Sequence, residues 1–278
     1  MSLNWNIEIN KNTQLLTREN FISSPVSIKA ELLGLFKQKD PLTIFDIGAC
    51  EAEDSIRYAS LFPNATVYAF EPRADNCKKA IELITQYKKK NIVLENIALS
   101  NQNGKAEFYL SEGQPEEFKT TGTWDYGNKS SSLLPPSDEK NSNSSWLKFN
   151  KKMEVETIRL ADYVQKKGIH TIDYAHIDVQ GAELMVLEGA GGFLKKIKLI
   201  WLEVEAIELY KNQPLKNEVE FFMGENNFIN ILDTVDSVDG DQLYANKMYF
   251  SESALKAIPK VRKKKYSFIS RVKSFLKS

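Results

Sequence analysis

Thr43-Ile44-Phe45-Asp46-Ile47-Gly48-Ala49-Cys50 runs from an apolar, β-branched strand pattern into a glycine and two small residues. Val67-Tyr68-Ala69-Phe70-Glu71-Pro72 repeats the strand-then-acid arrangement about 25 residues after the first turn. Between the two lies Glu51 to Phe62, amphipathic and of helical length. Strand, tight turn, helix, strand and acid is how an α/β sheet builds a nucleotide pocket at its strand ends. A carboxylate at the second position can accept both hydroxyls of a ribose. Asp46 and Glu71 therefore point to a nucleotide-type cofactor without choosing one, and alone they read also as caps of the two following helices.

Outward from this unit the alternation continues. Arg73 to Lys89 has a helical pattern and Ile92-Val93-Leu94 a third strand, so right-handed parallel crossovers are expected. Gly104 to Leu110 and Met153 to Ile158 alternate as half-buried strands. Between them Ser111 to Asn150 is rich in Ser, Asn, Gly and Pro, a length that is functional or disordered inside a compact domain. Regular order returns with helices over Leu160–Lys167, Ala182–Gly189 and Lys216–Asn226, and strands over Ile172–Asp178, Leu199–Val204, Phe228–Leu232 and Leu243–Phe250. A helix over Ser27 to Phe36 is expected to cover one side of the sheet. The expected organisation is a helical cover at 1–40, an α/β domain at 41–250 with a lid insertion at 111–150, and a tail at 251–278.

Composition excludes several classes. With 42% apolar and 27% charged residues the chain reads as globular, and 278 residues suit one α/β domain with additions. Cys50 and Cys77 are too few for a disulfide framework or a zinc ribbon, and no metal-ligand pattern is read, which suits a reducing cytoplasm. No run of 18 apolar residues or signal-peptide core is present. The net charge of zero hides an asymmetry: residues 251–278 hold nine Lys and Arg against Glu252 alone, leaving residues 1–250 at −8. An acidic body repels polyphosphate, so no nucleic-acid partner is expected.

The turn at Gly48 lacks the three glycines of a dinucleotide fingerprint, and Glu51, Glu53 and Asp54 open the next helix. Both features argue against a pyrophosphate and for a cofactor with a cationic end, which S-adenosyl-L-methionine has. A third stretch, Tyr174-Ala175-His176-Ile177-Asp178-Val179-Gln180-Gly181-Ala182-Glu183, puts two more acids at the same sheet edge. Four acids at strand ends indicate a site.

At this point the chain resembles the FkbM-type family of S-adenosylmethionine-dependent methyltransferases. The matching stretches are Phe45 to Ala49, Tyr68 to Pro72, Asn96 to Ser100, Ser130 to Leu134 and His176 to Glu183, in the family's order. Cys50, Ala52, His176 and Gln180 depart from the residues common in the family. The resemblance implies a class I methyltransferase fold: a Rossmann-like α/β sandwich with a mostly parallel seven-stranded sheet, an antiparallel closing strand and an inserted β-hairpin or lid. It also implies methyl transfer to a hydroxyl of a sugar or natural product. Asp46 and Gly48 would line the methionine end, Glu71 would hold the ribose, and Asn96, Ile97 and Ala98 would flank the adenine. Ala49, Cys50, Pro72 and Asp178 complete that cofactor set, although Ile97 and Ala98 read equally as core and Cys50 as a packing residue.

An alcohol must lose a proton on methylation. Asp178 is the first candidate for the base or for the group that orients the hydroxyl, with His176 and Glu203 behind it. Glu203 and Glu205 share a strand face; one is expected near substrate and the other at the surface. Glu183 reads as a substrate contact or as a stabiliser of its own helix. Trp124, with Ser130, Ser131 and Ser132, is expected to meet the acceptor from the lid, since aromatic rings among polar residues suit sugar faces. In the tail, Phe268, Ile269, Val272, Phe275 and Leu276 follow helical spacing among Lys and Arg, which suits a basic helix on the inner face of an anionic membrane or a solvated terminus. A nicotinamide-dependent oxidoreductase and a non-catalytic cofactor-binding module are the alternatives.

Overall fold

The computed structural model describes residues 17–114, 124–137 and 146–257. The basic stretch from 258 onward, the first sixteen residues and two parts of the expected lid lie outside the described residues. Two short helices, α1 (Arg18–Ser23) and α2 (Lys29–Leu35), come first. The sheet unit follows as β1 (Thr43–Ile47), α3 (Glu53–Leu61), β2 (Thr66–Phe70), α4 (Ala74–Gln86) and β3 (Ile92–Glu95). Next come β4 (Ala98–Ser100), β5 (Gly104–Glu112), β6 (Lys148–Arg159), α5 (Leu160–Lys167), β7 (Ile172–Ile177) and α6 (Glu183–Ala190). The chain closes with β8 (Ile197–Glu205), α7 (Lys216–Glu225), β9 (Phe228–Asp233), β10 (Asp239–Asn246) and α8 (Glu252–Ala257). No helix among the described residues is long and apolar enough to cross a membrane.

Seven strands form one sheet in the order β3-β2-β1-β7-β8-β10-β9. The first five are parallel, and β10 runs antiparallel between β8 and β9. The central strands are covered on both faces, which is why they read as near-continuous apolar runs. On one face α2 and its flanks set Ile28, Leu32 and Phe36 against Phe62, Tyr174, Leu199 and Trp201. The other face packs Leu160, Val164, Val186, Leu187 and Met223 from α5, α6 and α7 over Phe45, Ile177 and Ile200. Each fully buried side chain of this size contributes about 1.5–3 kcal/mol, so the two layers hold the strand ends rigidly. Chain order reverses between β1 and β7, and ligands of open α/β sheets bind in the crevice outside the strand ends at such a point.

β4, β6 and β5 make a second, three-stranded sheet, with β4 parallel and β5 antiparallel to β6. It packs Ala98, Phe108, Val155, Leu110 and Leu133 together beside the strand-end crevice. Several expected boundaries move for local reasons. Two helices, not one over 27–36, precede the sheet. α3 starts at Glu53 rather than Glu51 because Cys50 and Ala52 have φ of 50° and 67°, outside the helical region. The last strand is Asp239–Asn246, not 243–250: the polar Asp239, Gly240 and Asp241 pair with β8, and Asn246 ends the strand by accepting from Met248 N at 3.0 Å.

Candidate active site

At the end of β1, Gly48 has φ +88°, and a Cβ there would stand 1.8 Å from the Asp178 carbonyl oxygen. The turns after β1 and β7 thus pass each other at backbone distance, which only glycine permits. Gly48 N and Ala49 N both donate to Phe70 O, at 3.1 and 2.9 Å, tying this turn to the end of β2. Asp46 lies below the turn, 1% exposed. It accepts from Ser55 Oγ of α3 and sits 2.8 Å from His176 Nδ1 of β7. Its carboxylate is therefore not among the groups lining the crevice; it fixes the turn, the helix and the His176 ring from beneath. Burial opposes charge on His176, but Asp46, with Asp54 and Asp178 behind it, outweighs this and pushes the ring up to about 9.

The crevice lies at this strand edge, between the turns after β1 and β7 and the second sheet. Gly48, Cys50, Glu71 and Pro72 line it, with Asp178 and Gln180 from the turn after β7. Ile97, Ala98, Leu99, Phe108 and Leu133 form an apolar wall. Ala49 and Asn96 stand outside the lining. Asn96 acts from behind, its Nδ2 donating to Glu71 O and Pro72 O, both at 2.9 Å. Glu71 is buried and accepts from Arg73 N at 2.8 Å. Burial outweighs the donors from Arg73, Cys50 and Asn76 and raises its carboxyl to about 7.

The acids after the turn correct the charge reasoning made from sequence. Glu51 and Glu53 are buried and already paired, so they do not offer free negative charge to a ligand. Glu51 meets Arg18, Lys79 at 2.8 Å and Asn128 Nδ2 at 2.8 Å. Glu53 meets Lys129 Nζ at 3.1 Å and accepts from Trp124 Nε1 at 2.7 Å. Trp124 is 3% exposed and packs on Phe21 and Tyr126, so it anchors its segment instead of opening to an acceptor.

The serines divide in the same way. Ser132 is fully buried and donates to Gln180 O at 2.7 Å. Ser130 is buried too, its N donating to Ser111 Oγ at 3.1 Å and its carbonyl accepting from Tyr210 OH at 2.9 Å. Both pin the 124–137 segment to the strand edge, and Ser131 alone of the three lines the crevice. Glu183 spends its Oε1 on Val179 N and Gly181 N, at 3.0 and 3.2 Å, which shapes the turn after β7, and it is not among the residues lining the crevice.

Gln180, held at φ +58°, connects the edge. Its Nε2 donates to Asp178 Oδ1 at 2.8 Å and to Glu203 Oε2, and its Oε1 accepts from Tyr210 OH at 2.9 Å. Burial raises Asp178, while His176 and Gln180 pull it back toward the ionised form. Glu203 and Glu205 are both buried, at 5% and 2% exposure, which corrects the surface position expected for one of them. They face Asp241 and Asp239 across the β8–β10 pair, because the closing strand covers the end of β8. Burial pushes Glu203 and Glu205 well up, with Asp178 adding to it, and raises Asp241 to about 8. Lys129, Gln180 and Tyr210 were not expected as site residues; only Gln180, inside the strand-end motif, had any local signal.

An open sheet that reverses order at a glycine turn, with a carboxylate at the next strand end and an antiparallel closing strand, defines the class I methyltransferase architecture. The chain belongs to the FkbM family of S-adenosylmethionine-dependent methyltransferases: the Methyltransferase FkbM domain matches residues 46–229. It is 31% identical over 198 residues to the 2-O-methyltransferase NoeI of Sinorhizobium fredii (strain NBRC 101917 / NGR234), covering 70% of this chain and 76% of that protein. Among solved structures it is similar to an rRNA methylase from Streptococcus thermophilus, at 13% identity and a TM-score of 0.43 over 81% of this chain and 98% of that one. It is also similar to SMU.1697c of Streptococcus mutans in complex with SAH, at 12% identity and a TM-score of 0.43 over 80% and 97%. The latter two are distant likenesses in chain path. Family membership sets aside the nicotinamide-dependent oxidoreductase.

Proposed function

We propose that the protein is an O-methyltransferase that methylates a hydroxyl of a saccharide, glycolipid or related natural product. The observation carrying this reading is one crevice lined both by Glu71 and by Asp178, with an apolar wall and a backbone-only turn at Gly48. Its residues fit S-adenosyl-L-methionine. Glu71 would accept the ribose hydroxyls, Ile97, Ala98 and Leu133 would flank the adenine, and Gly48 and Cys50 would border the methionine end. When bound, the cofactor supplies a methyl group activated on a sulfonium. Asp178 orients the acceptor hydroxyl and takes its proton, held in place by Gln180 and kept toward its ionised form by His176. The name of the relative NoeI, a 2-O-methyltransferase, supports oxygen as the target. A cytoplasmic site of action and a lipid-linked acceptor held near the membrane by the basic stretch 256–278 suit the charge distribution.

The test incubates the purified protein with methyl-labelled S-adenosylmethionine and paired acceptors, saccharides with a free 2-hydroxyl and their 2-amino counterparts. Mass spectrometry then locates the methyl group. Transfer to the hydroxyl is expected, whereas labelling of the amine, or of RNA offered in parallel, would overturn the reading.

A further inference from the structure

Among the described residues, Lys129 is the one basic side chain that lines the crevice. It lies on a 3-10 helix, Gly127–Ser130, in the segment over the glycine turn, far along the chain from the cofactor motifs. Its Nζ stands 3.1 Å from Glu53 Oε1, 3.7 Å from Cys50 Sγ and 5.0 Å from the centroid of the Trp124 ring. Behind it, Arg18, Lys79 and Lys129 share the two buried carboxylates of Glu51 and Glu53. Asp125 is 3.9 Å from Lys79 but 45% exposed, so water screens it.

The ligand this crevice fits has an amino-acid end with both an ammonium and a carboxylate. Glu71 and Asp178 are the acids lining the crevice, and neither can satisfy a carboxylate. A buried carboxylate without a donor is costly. Burial works against charge on Lys129, yet the carboxylates of Glu53 and Glu51 keep it protonated. On the cofactor reading above, its place beside Cys50 is the methionine side of the turn.

We infer that Lys129 binds the carboxylate of the methionyl group of S-adenosylmethionine, so that the segment over the turn completes the cofactor site. The inference rests on the cofactor reading above and deepens it. Glu53 then has a positioning role: it holds the ammonium over Cys50, and Trp124 Nε1 holds Glu53. The ion pair is charge-assisted and directional, the kind that discriminates between ligands differing by one carboxylate.

The experiment is calorimetric titration, without acceptor, of the full chain with S-adenosylmethionine and with decarboxylated S-adenosylmethionine, which lacks only the carboxylate. Wild type is expected to prefer the intact cofactor by about tenfold or more. K129M should lose about tenfold for the intact cofactor and stay within about twofold for the decarboxylated one, and K129R should retain most of the preference. Equal weakening of both ligands by K129M would reduce Lys129 to a partner of Glu53 and overturn the inference. So would a wild type that binds both ligands alike. A wild type that binds neither overturns the cofactor reading itself. Should K129M fail to fold, the wild-type ratio and K129R decide: a preference retained in K129R supports the charge pair, equal weakening of both ligands overturns it, and a wild-type ratio near one ends the proposal.

Discussion

At the turn after β1 each buried carboxylate meets a cation: Glu51 meets Arg18 and Lys79, and Glu53 meets Lys129. At the end of β8 acids stand opposite acids in the strand register, Glu203 opposite Asp241 and Glu205 opposite Asp239. Directly opposed like charges destabilise a sheet, and burial, with Asp178 adding to it, pushes Glu203 and Glu205 up toward their neutral forms. The first region is a set of paired charges that ties the turn to Arg18, Lys79 and Lys129. The second is a group of buried acids beside Asp178, the residue proposed to take the proton of the acceptor hydroxyl.

Breaking the acceptor edge at its centre has the largest expected effect. Asp178→Asn should lower turnover by about 100- to 10,000-fold while leaving S-adenosylhomocysteine affinity within about threefold. Kinetics and calorimetry on the same preparation check this split, and a parallel loss of affinity would move Asp178 to the cofactor side.

Next is the pair that links the two regions, Asp46 and His176. The folded pKa of His176 lies above its usual 6.5, so its stabilisation is complete below about pH 6.5 and is lost as pH rises through about 9. Because the ring is 13% exposed, this share is on the order of 1–3 kcal/mol. Urea unfolding of wild type and His176→Gln at pH 6 and pH 9.5 should show a gap that narrows at the higher pH. A gap that stays constant would contradict a charged ring.

Smallest is Tyr210→Phe, which leaves buried Gln180 Oε1 without its hydroxyl donor. A stability loss of about 1–2 kcal/mol is expected, with unchanged cofactor affinity and a severalfold drop in turnover as Asp178 loosens. Unchanged turnover would mean that Tyr210 only secures the segment at Ser130.

These regions differ as much in how the sequence displays them. The cofactor end is written within short stretches: β1 into Gly48 and β2 into Glu71 are visible as apolar runs that stop at an acid or a glycine. Parallel strands buried on both faces make such runs unmistakable, and α5 carries the expected bounds Leu160–Lys167 because Gly168, at φ 66°, ends it. The edge around Asp178 is assembled from Ser130, Gln180, Glu203 and Tyr210, which only the folded sheet brings together. Glu51 and Glu53 look like free acids in the chain because their partners Arg18, Lys79 and Lys129 come from three distant segments. Trp124 reads as a sugar platform by composition, and its indole N–H on buried Glu53 is a fact of tertiary packing. The final strand was misplaced because Asp239 to Asp241 look like a loop until β8 pairs with them.

The central claim is that Glu71 receives the ribose of S-adenosylmethionine, and the pH dependence of cofactor binding tests it most directly. Glu71 titrates at about 7 without ligand, and hydroxyl donors favour its ionised form. Affinity for S-adenosylhomocysteine, measured by calorimetry, should therefore rise about tenfold between pH 6 and pH 8 in wild type. Glu71→Gln should bind more weakly at pH 8 and lose that slope. A wild-type affinity independent of pH over this range, or a Glu71→Gln variant that matches wild type at pH 8, would contradict the account.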